Sequence, residues 1–192
     1  MDLMNDPELA RYFSQHLKAA ITFHGHLCPG LLIGYRAARA GLERLQAKRS
    51  GDEELIAIVE NNSCAVDAVQ VLTGATFGKG NLFFRDYGKQ VFTFAARPSG
   101  RAVRVALRAE AFAEAAPSRE ERARKLLAAS DDALFKIEDL KIALPAAAEI
   151  HKSVVCAKCG EPVMETRTRE QGGQVLCIPC AGDLGSSAST RK

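Results

Sequence analysis

The sequence has no long apolar run and almost no net charge. Its most apolar helical pattern, Pro29 to Leu45, is interrupted by Arg36, Arg39 and Glu43 and cannot span a bilayer. Met1 to Pro7 carries Asp2 and Asp6 and lacks the basic and apolar regions of a secretory leader. No membrane association is therefore expected, and the cytoplasm is the expected location. The chain has 26 Lys and Arg against 23 Asp and Glu, a formal net charge of +3, so charge makes no case for nucleic-acid binding. There is no internal repeat. A P-loop is also missing. In "GATFGKG" only three residues separate Gly74 from Gly78 where the motif needs four, and Lys79 is followed by Gly80 in place of Ser or Thr. That excludes a P-loop NTPase and leaves two readings of the segment: a loop presenting Lys79 to an anionic ligand, or a tight turn with a solvated lysine.

Histidine and cysteine are scarce too, at four and six in 192 residues, and their placement is uneven. "FHGHLCPG" holds His24, His26 and Cys28 within five positions, and four further cysteines fall between Cys156 and Cys180. A chain of this length, 47% hydrophobic and 26% charged, is long enough for one medium domain with its own core plus a small appendage.

Apolar residues at helical spacing predict a first helix over Pro7 to Thr22, through Leu9, Tyr12, Phe13, Leu17 and Ala20. Pro29 suits the first turn of a second helix, with Leu31, Leu32, Tyr35, Ala38, Leu42 and Leu45 on one face and Arg36, Arg39 and Glu43 mostly off it. "LIAIVE" reads as a buried strand. Asn62 or Ser63 then caps a helix that Gly74 ends, placing Cys64 at a helix N-terminus and Asp67 in the first turns. "KQVFTFAAR" and "RAVRVALR" form a hairpin around Pro98-Ser99-Gly100. Ser118 to Ser130 and Asp131 to Ile137 are charged helix candidates, and "IEDLKIALP" is a last strand or an extended connector. Helices mixed with strands, without regular βαβ alternation, predict an α+β domain over residues 1–150, a small cysteine domain over 151–184 and a disordered tail over 185–192.

Cys156-x-x-Cys159 and Cys177-x-x-Cys180, 17 residues apart, have the spacing of a zinc ribbon or a related treble-clef site. Zinc takes four thiolates in a tetrahedron, and each CxxC turn supplies two. Four protein ligands leave no open position, so this zinc is structural. The segment has too few large apolar residues for a core, so metal binding supplies much of its folding free energy. Two disulfides are the alternative, and a reducing compartment opposes them.

His24, His26, Cys28 and Cys64 are the remaining candidate ligands. In an extended segment residues two apart point the same way, so the first three converge from one side. Cys28 and Cys64, each at a helix start, are favoured as thiolates. Imidazole with thiolate suits zinc, copper, nickel or iron. The competing reading is a helix-capping turn with a small buried thiol. His16 and His151 read as surface or supporting residues.

"FHGHLCPGLLIGYRA" together with "CAVDAVQVLTGATFGKGNLFFRDYGK" resembles the FmdE family, named for formylmethanofuran dehydrogenase, over roughly residues 14 to 150. The resemblance implies an α+β domain, often dimeric, with a pocket built on these motifs and a C-terminal cysteine ribbon. His24, His26, Cys28 and Cys64 would line that pocket and hold a second transition metal, zinc among the candidates, with Tyr35, Asp67 and Lys79 near it. Family members often carry Cys where this chain has Ala75, so no third thiol is available from that loop.

The expected protein is a metal-binding accessory or catalytic chain tied to one-carbon or molybdenum-enzyme chemistry, a homodimer associated with a larger oxidoreductase. Cys64 and Cys28 would be thiolate ligands or nucleophile, His24 or His26 a ligand or general base, and Lys79 an anchor for an anionic group. Two other classes compete: a ribbon module that recognises nucleic acid or a protein partner, and a metal or sulfur carrier.

Overall fold

The computed structural model describes residues 10–97, 99–112 and 118–182. The predicted tail at 185–192 and residues 7–9 of the predicted first helix lie outside these. The chain divides into two compact units, Met1–Ala148 and Glu149–Lys192. No helix among the described residues is long and apolar enough to cross a membrane.

The first unit is α+β. Helix α1 (Gln15–His24) begins later than its periodicity predicts, because the Ser14 side chain accepts from the Leu17 N–H and caps it there. Gly25, at φ 97°, closes the other end in the left-handed conformation. Helix α2 (Pro29–Leu45) starts on its proline, as expected. Strand β1 (Leu55–Val59) is followed by α3 (Ala65–Thr73), which Gly74 ends at φ 73°. Strands β2 (Leu82–Phe84), β3 (Val91–Ala96) and β4 (Arg101–Leu107) follow, then α4 (Arg119–Ala128), a single turn α5 (Asp131–Leu134) and β5 (Phe135–Leu140).

The sheet runs β2-β1-β3-β4-β5, parallel between β1 and β2 and antiparallel elsewhere. Leu55, Ala57, Val59, Phe92, Phe94, Val103 and Val105 face the core made with α1, α2 and α3. Ile56, Ile58, Ala95 and Ala102 pack on the other face under Ile142 and Leu144. Strand β1 is thus covered on both sides, which is why "LIAIV" is apolar throughout rather than alternating.

Two contacts fix the helices that carry the site. Gly34 lets α2 approach α3: a Cβ there would lie 2.0 Å from the Ala65 carbonyl oxygen. Arg36, expected off the apolar face, is instead buried at 3% exposure. Its guanidinium donates to Asp131 at 2.6 Å and to the carbonyls of Leu126, Leu127 (3.2 Å) and Ala129 (2.7 Å). These carbonyls end α4, so Arg36 supplies donors that the helix terminus lacks and pins α4 to α2.

The predicted helix over Asp131 to Ile137 is corrected. Ser130 caps one turn, and from Phe135 the chain pairs with β4, Phe135 opposite Leu107 and Ile137 opposite Val105. Pairing to a neighbouring strand outweighs a weak local helical preference.

The second unit holds two short hairpins, β6 (Ser153–Val155) with β7 (Pro162–Met164) and β8 (Thr168–Gln171) with β9 (Gln174–Cys177). Its only buried apolar cluster among the described residues is Cys156, Leu176 and Cys177, edged by Val163, Cys180 and Ala181.

Candidate functional site

The four C-terminal cysteines converge. All four sulfurs lie within 4.8 Å of one another, and the Cys159 and Cys177 sulfurs are 3.9 Å apart. With Zn–S near 2.3 Å, a tetrahedral site has edges of about 3.8 Å, so the spacing fits zinc. No disulfide is formed. The N–H groups of Cys159 and then Cys177 hold the Cys156 thiol down at about 6, whereas hydrogen bonding to Cys177 and burial push Cys180 up to about 12. Four crowded thiols cannot all ionise together; a divalent cation removes that conflict.

The first unit brings together a second set. One ligand atom from each of His24, His26 and Cys28 lies within 4.8 Å of the others. The mechanism differs from the extended segment predicted. His24 is the last residue of α1, Gly25 turns the chain, and Cys28 is the N-cap of α2. The Cys28 sulfur accepts the Leu31 N–H at 3.3 Å, and the His24 and His26 rings lie 4.7 Å apart, tilted by 36°.

Asp67 orients this set from α3. Its carboxylate oxygen lies 2.7 Å from His24 Nδ1. A carboxylate can only accept, so Nδ1 carries a proton, and in the neutral ring it is then the Nε2 lone pair that faces the Cys28 sulfur at 3.7 Å. A histidine whose far nitrogen donates to a carboxylate is the common arrangement around protein-bound metals.

Cys64 approaches from the same side without being one of the three converging ligands. A Cβ placed on Gly30 would lie 3.1 Å from Cys64 Cβ, 3.8 Å from its sulfur and 3.9 Å from the Cys28 sulfur. The expectation of a dipole-favoured thiolate at Cys64 is not met. Cys64 sits at the α3 N-cap with helical backbone angles and no capping bond, and burial, followed by the neighbouring Cys28, pushes its thiol up.

His26, Cys28 and Cys64 open onto a cavity of about 540 Å³. Pro29 and three residues at the start of α4, Ser118, Arg119 and Arg122, complete its lining. Sequence reasoning missed the α4 contribution: "SREERARK" carries only the signature of a charged surface helix, and its position depends on Arg36.

Two expected members of the site lie elsewhere. Lys79 donates to the carbonyl of Asp52 at 2.8 Å and of Gly51 at 3.5 Å. Beside it Asn81, fully buried, donates to the carbonyls of Asp52 and Leu55 and accepts the Thr76 N–H. The Gly-Lys-Gly-Asn segment is a clamp on the 50–55 turn, where main-chain acceptors need donors, so Lys79 is no anchor in this cavity. The Tyr35 hydroxyl bonds Ser14 Oγ at 2.9 Å and joins the start of α1 to α2. His16, on α1, is not part of the cavity lining either.

Sequence and structure comparison now bears on this geometry. The family described as FmdE, molybdenum formylmethanofuran dehydrogenase operon, matches residues 23–144, a span that includes every residue of the histidine–cysteine set and its aspartate. The chain belongs to the FmdE family. Beyond the FmdE match, residues 151–184 match the prokaryotic dksA/traR C4-type zinc finger. Among solved structures, FmdE architecture is seen in a tungsten formylmethanofuran dehydrogenase FmdE-like protein from Syntrophus aciditrophicus. It is 26% identical, with a TM-score of 0.67 over 88% of this chain and 91% of that one. A curated relative, a probable S-adenosyl-L-methionine-binding protein from Archaeoglobus fulgidus, is 33% identical over 195 residues, 86% of this chain. The chain spans about half, 52%, of that relative's length. This FmdE chain is thus an α+β domain followed by a C4 zinc finger whose cysteines are spaced for zinc.

Proposed function

We propose that this FmdE protein is a metalloprotein of one-carbon or molybdenum- and tungsten-enzyme chemistry, with a transition-metal centre in its α+β domain separate from the structural zinc. His24, His26 and Cys28 hold the ion, and Asp67 fixes the His24 tautomer. The reading rests on one observation: three ligand atoms of the right chemistry within 4.8 Å, with the far nitrogen of His24 already committed to a carboxylate. Three protein ligands leave a position open, and an ion so held supplies Lewis acidity. Cys64 stands at the cavity side of the set as an additional thiol, available as a ligand or nucleophile. Service to a larger oxidoreductase belongs to the same reading, in line with the operon that the family description names; a homodimer is part of the reading as an expectation from the family resemblance alone.

Metal content per chain tests it. Full-length protein should carry two ions, Cys28→Ser one and Cys159→Ser one, with the two losses independent. A full-length value of one ion, unchanged in Cys28→Ser, refutes the centre.

A second reading is S-adenosyl-L-methionine binding, favoured by the name of the Archaeoglobus relative, of which this chain matches about half. Saturable binding of that compound to protein depleted of the first ion would favour it over the metal centre.

A further inference from the structure

The cavity beside the histidine–cysteine set is lined by two chemically different kinds of residue: the soft donors His26, Cys28 and Cys64, and Arg119 and Arg122 of α4. Among the described residues the lining includes no aspartate or glutamate, although α4 has Glu120 and Glu121 in the same turn. Positions three apart on a helix share a face, so the two arginines reach the cavity together while the intervening glutamates point around the helix. Its volume, about 540 Å³, falls in the range of small-molecule sites.

The placement of α4 is built in. Arg36, itself buried, grips the carbonyls at the C-terminal end of that helix and Asp131 beyond it. The paired arginines are therefore held against the cavity by a buried polar network.

We infer that the cavity binds a small oxyanion-bearing ligand, a carboxylate or a phosphate, between Arg119 and Arg122 and the soft donors opposite. The inference deepens the proposed metal centre and rests on it: the oxyanion is held so that the rest of the ligand lies at the ion's open side. Guanidinium suits this task because its planar fork of donors matches the oxygens of carboxylate and phosphate, and it stays charged at any working pH.

The test uses full-length protein with its metal content measured beforehand. Carbon-13 formate and acetate, and inorganic phosphate, are titrated at low ionic strength, and binding is followed by broadening of the ligand's own resonance. Choline is the cationic control. Wild type should bind at least one oxyanion saturably and ignore choline; the carboxylate and phosphate arms identify which anion the site takes. Arg119→Gln should weaken binding at least fivefold and Arg119→Gln/Arg122→Gln at least twentyfold, with two ions per chain retained. Because Arg119 is exposed, its single variant reads the effect even if the double variant folds poorly. Two ions per chain with no saturable oxyanion binding, or with affinity unchanged in the variants, overturns the inference and leaves the metal centre standing. One ion per chain, unaffected by Cys28→Ser, overturns the centre and the inference with it.

Discussion

Replacing Asp67 tests whether the histidine–cysteine set is built for a metal. Its carboxylate lies 2.7 Å from His24 Nδ1, and it is the only group bonded to that nitrogen among the described residues. Loss of such a partner typically weakens metal affinity by about 10- to 100-fold, or about 1.4–2.7 kcal/mol. The cost has two parts: the ring loses a charge-assisted hydrogen bond, and the proton becomes free to move to Nε2, removing the lone pair that faces Cys28. The amide introduced by Asp67→Asn still presents a carbonyl oxygen to Nδ1–H but without the charge, so its loss should be smaller than in Asp67→Ala. The assay is competition with a chelator of known affinity, the ribbon ion serving as internal standard because its ligands belong to the other compact unit. The expected order of affinity for the first ion is wild type, Asp67→Asn, Asp67→Ala, with the second ion unchanged. An Asp67→Ala affinity within about twofold of wild type would show that His24 does not act through Nε2, since the lower end of the expected effect is about tenfold.

Three further changes probe the supports. Arg36→Met leaves the carbonyls of Leu126, Leu127 and Ala129 without their shared donor, while Asp131 keeps Arg39 at 3.1 Å; each buried acceptor left unpaired costs about 1–3 kcal/mol, and thermal unfolding should fall by on the order of 10 °C. Gly34→Ala sets a methyl 2.0 Å from the Ala65 oxygen, so α3 must shift or the domain must strain by about 1–3 kcal/mol or more; chelator competition should show a weakened first ion and an unchanged ribbon ion. The Ser50 hydroxyl and the Asp52 N–H hold the Glu54 carboxyl at about 2, below its ordinary 4.5. A depressed carboxyl contributes stability that is complete above its unfolded value and is lost as pH falls through the folded one. Acid unfolding of Glu54→Gln should therefore lose part of the wild-type pH dependence between about 4.5 and 2, a window read by circular dichroism.

What could be read in advance was what local chemistry dictates. Pro29 at a helix start, Gly74 at a helix end, the apolar run of β1 and the β3–β4 hairpin carry their signals within a few residues. The CxxC pairs did too, because each knuckle is a local turn. Long-range partners decided the remainder. Nothing near Phe135 says that β4 waits to pair with it, so one turn of helix was extended too far. Arg36 looks like a surface residue until α4 arrives to use all its donors. Lys79 looks like an anion anchor until the 50–55 turn presents bare carbonyls to it. Arg119 and Arg122 reached the cavity by the same long-range route, and no local pattern announced them.

The site stands where three helix ends meet, and this makes its electrostatics intelligible. His24 closes the C-terminal end of α1, the negative end of that helix, which favours a cation beside the imidazole. Cys28 opens α2, at the positive end of that helix, where the Leu31 N–H points at its sulfur. Asp67, in the first turn of α3, sits at a positive helix end while it orders the His24 ring. Each ligand or support is thus placed at the helix terminus whose sign suits its charged state with an ion bound. Two close approaches hold the α2 and α3 ends together, Gly34 against Ala65 and Gly30 against Cys64, so both glycines serve the site by having no side chain. Gly30→Ala would press on Cys64, whose Cβ lies 3.1 Å from the new methyl, while the Cys28 sulfur at 3.9 Å stays in ordinary van der Waals contact, so this smallest change separates the role of the Cys64 thiol from the role of the three ligands.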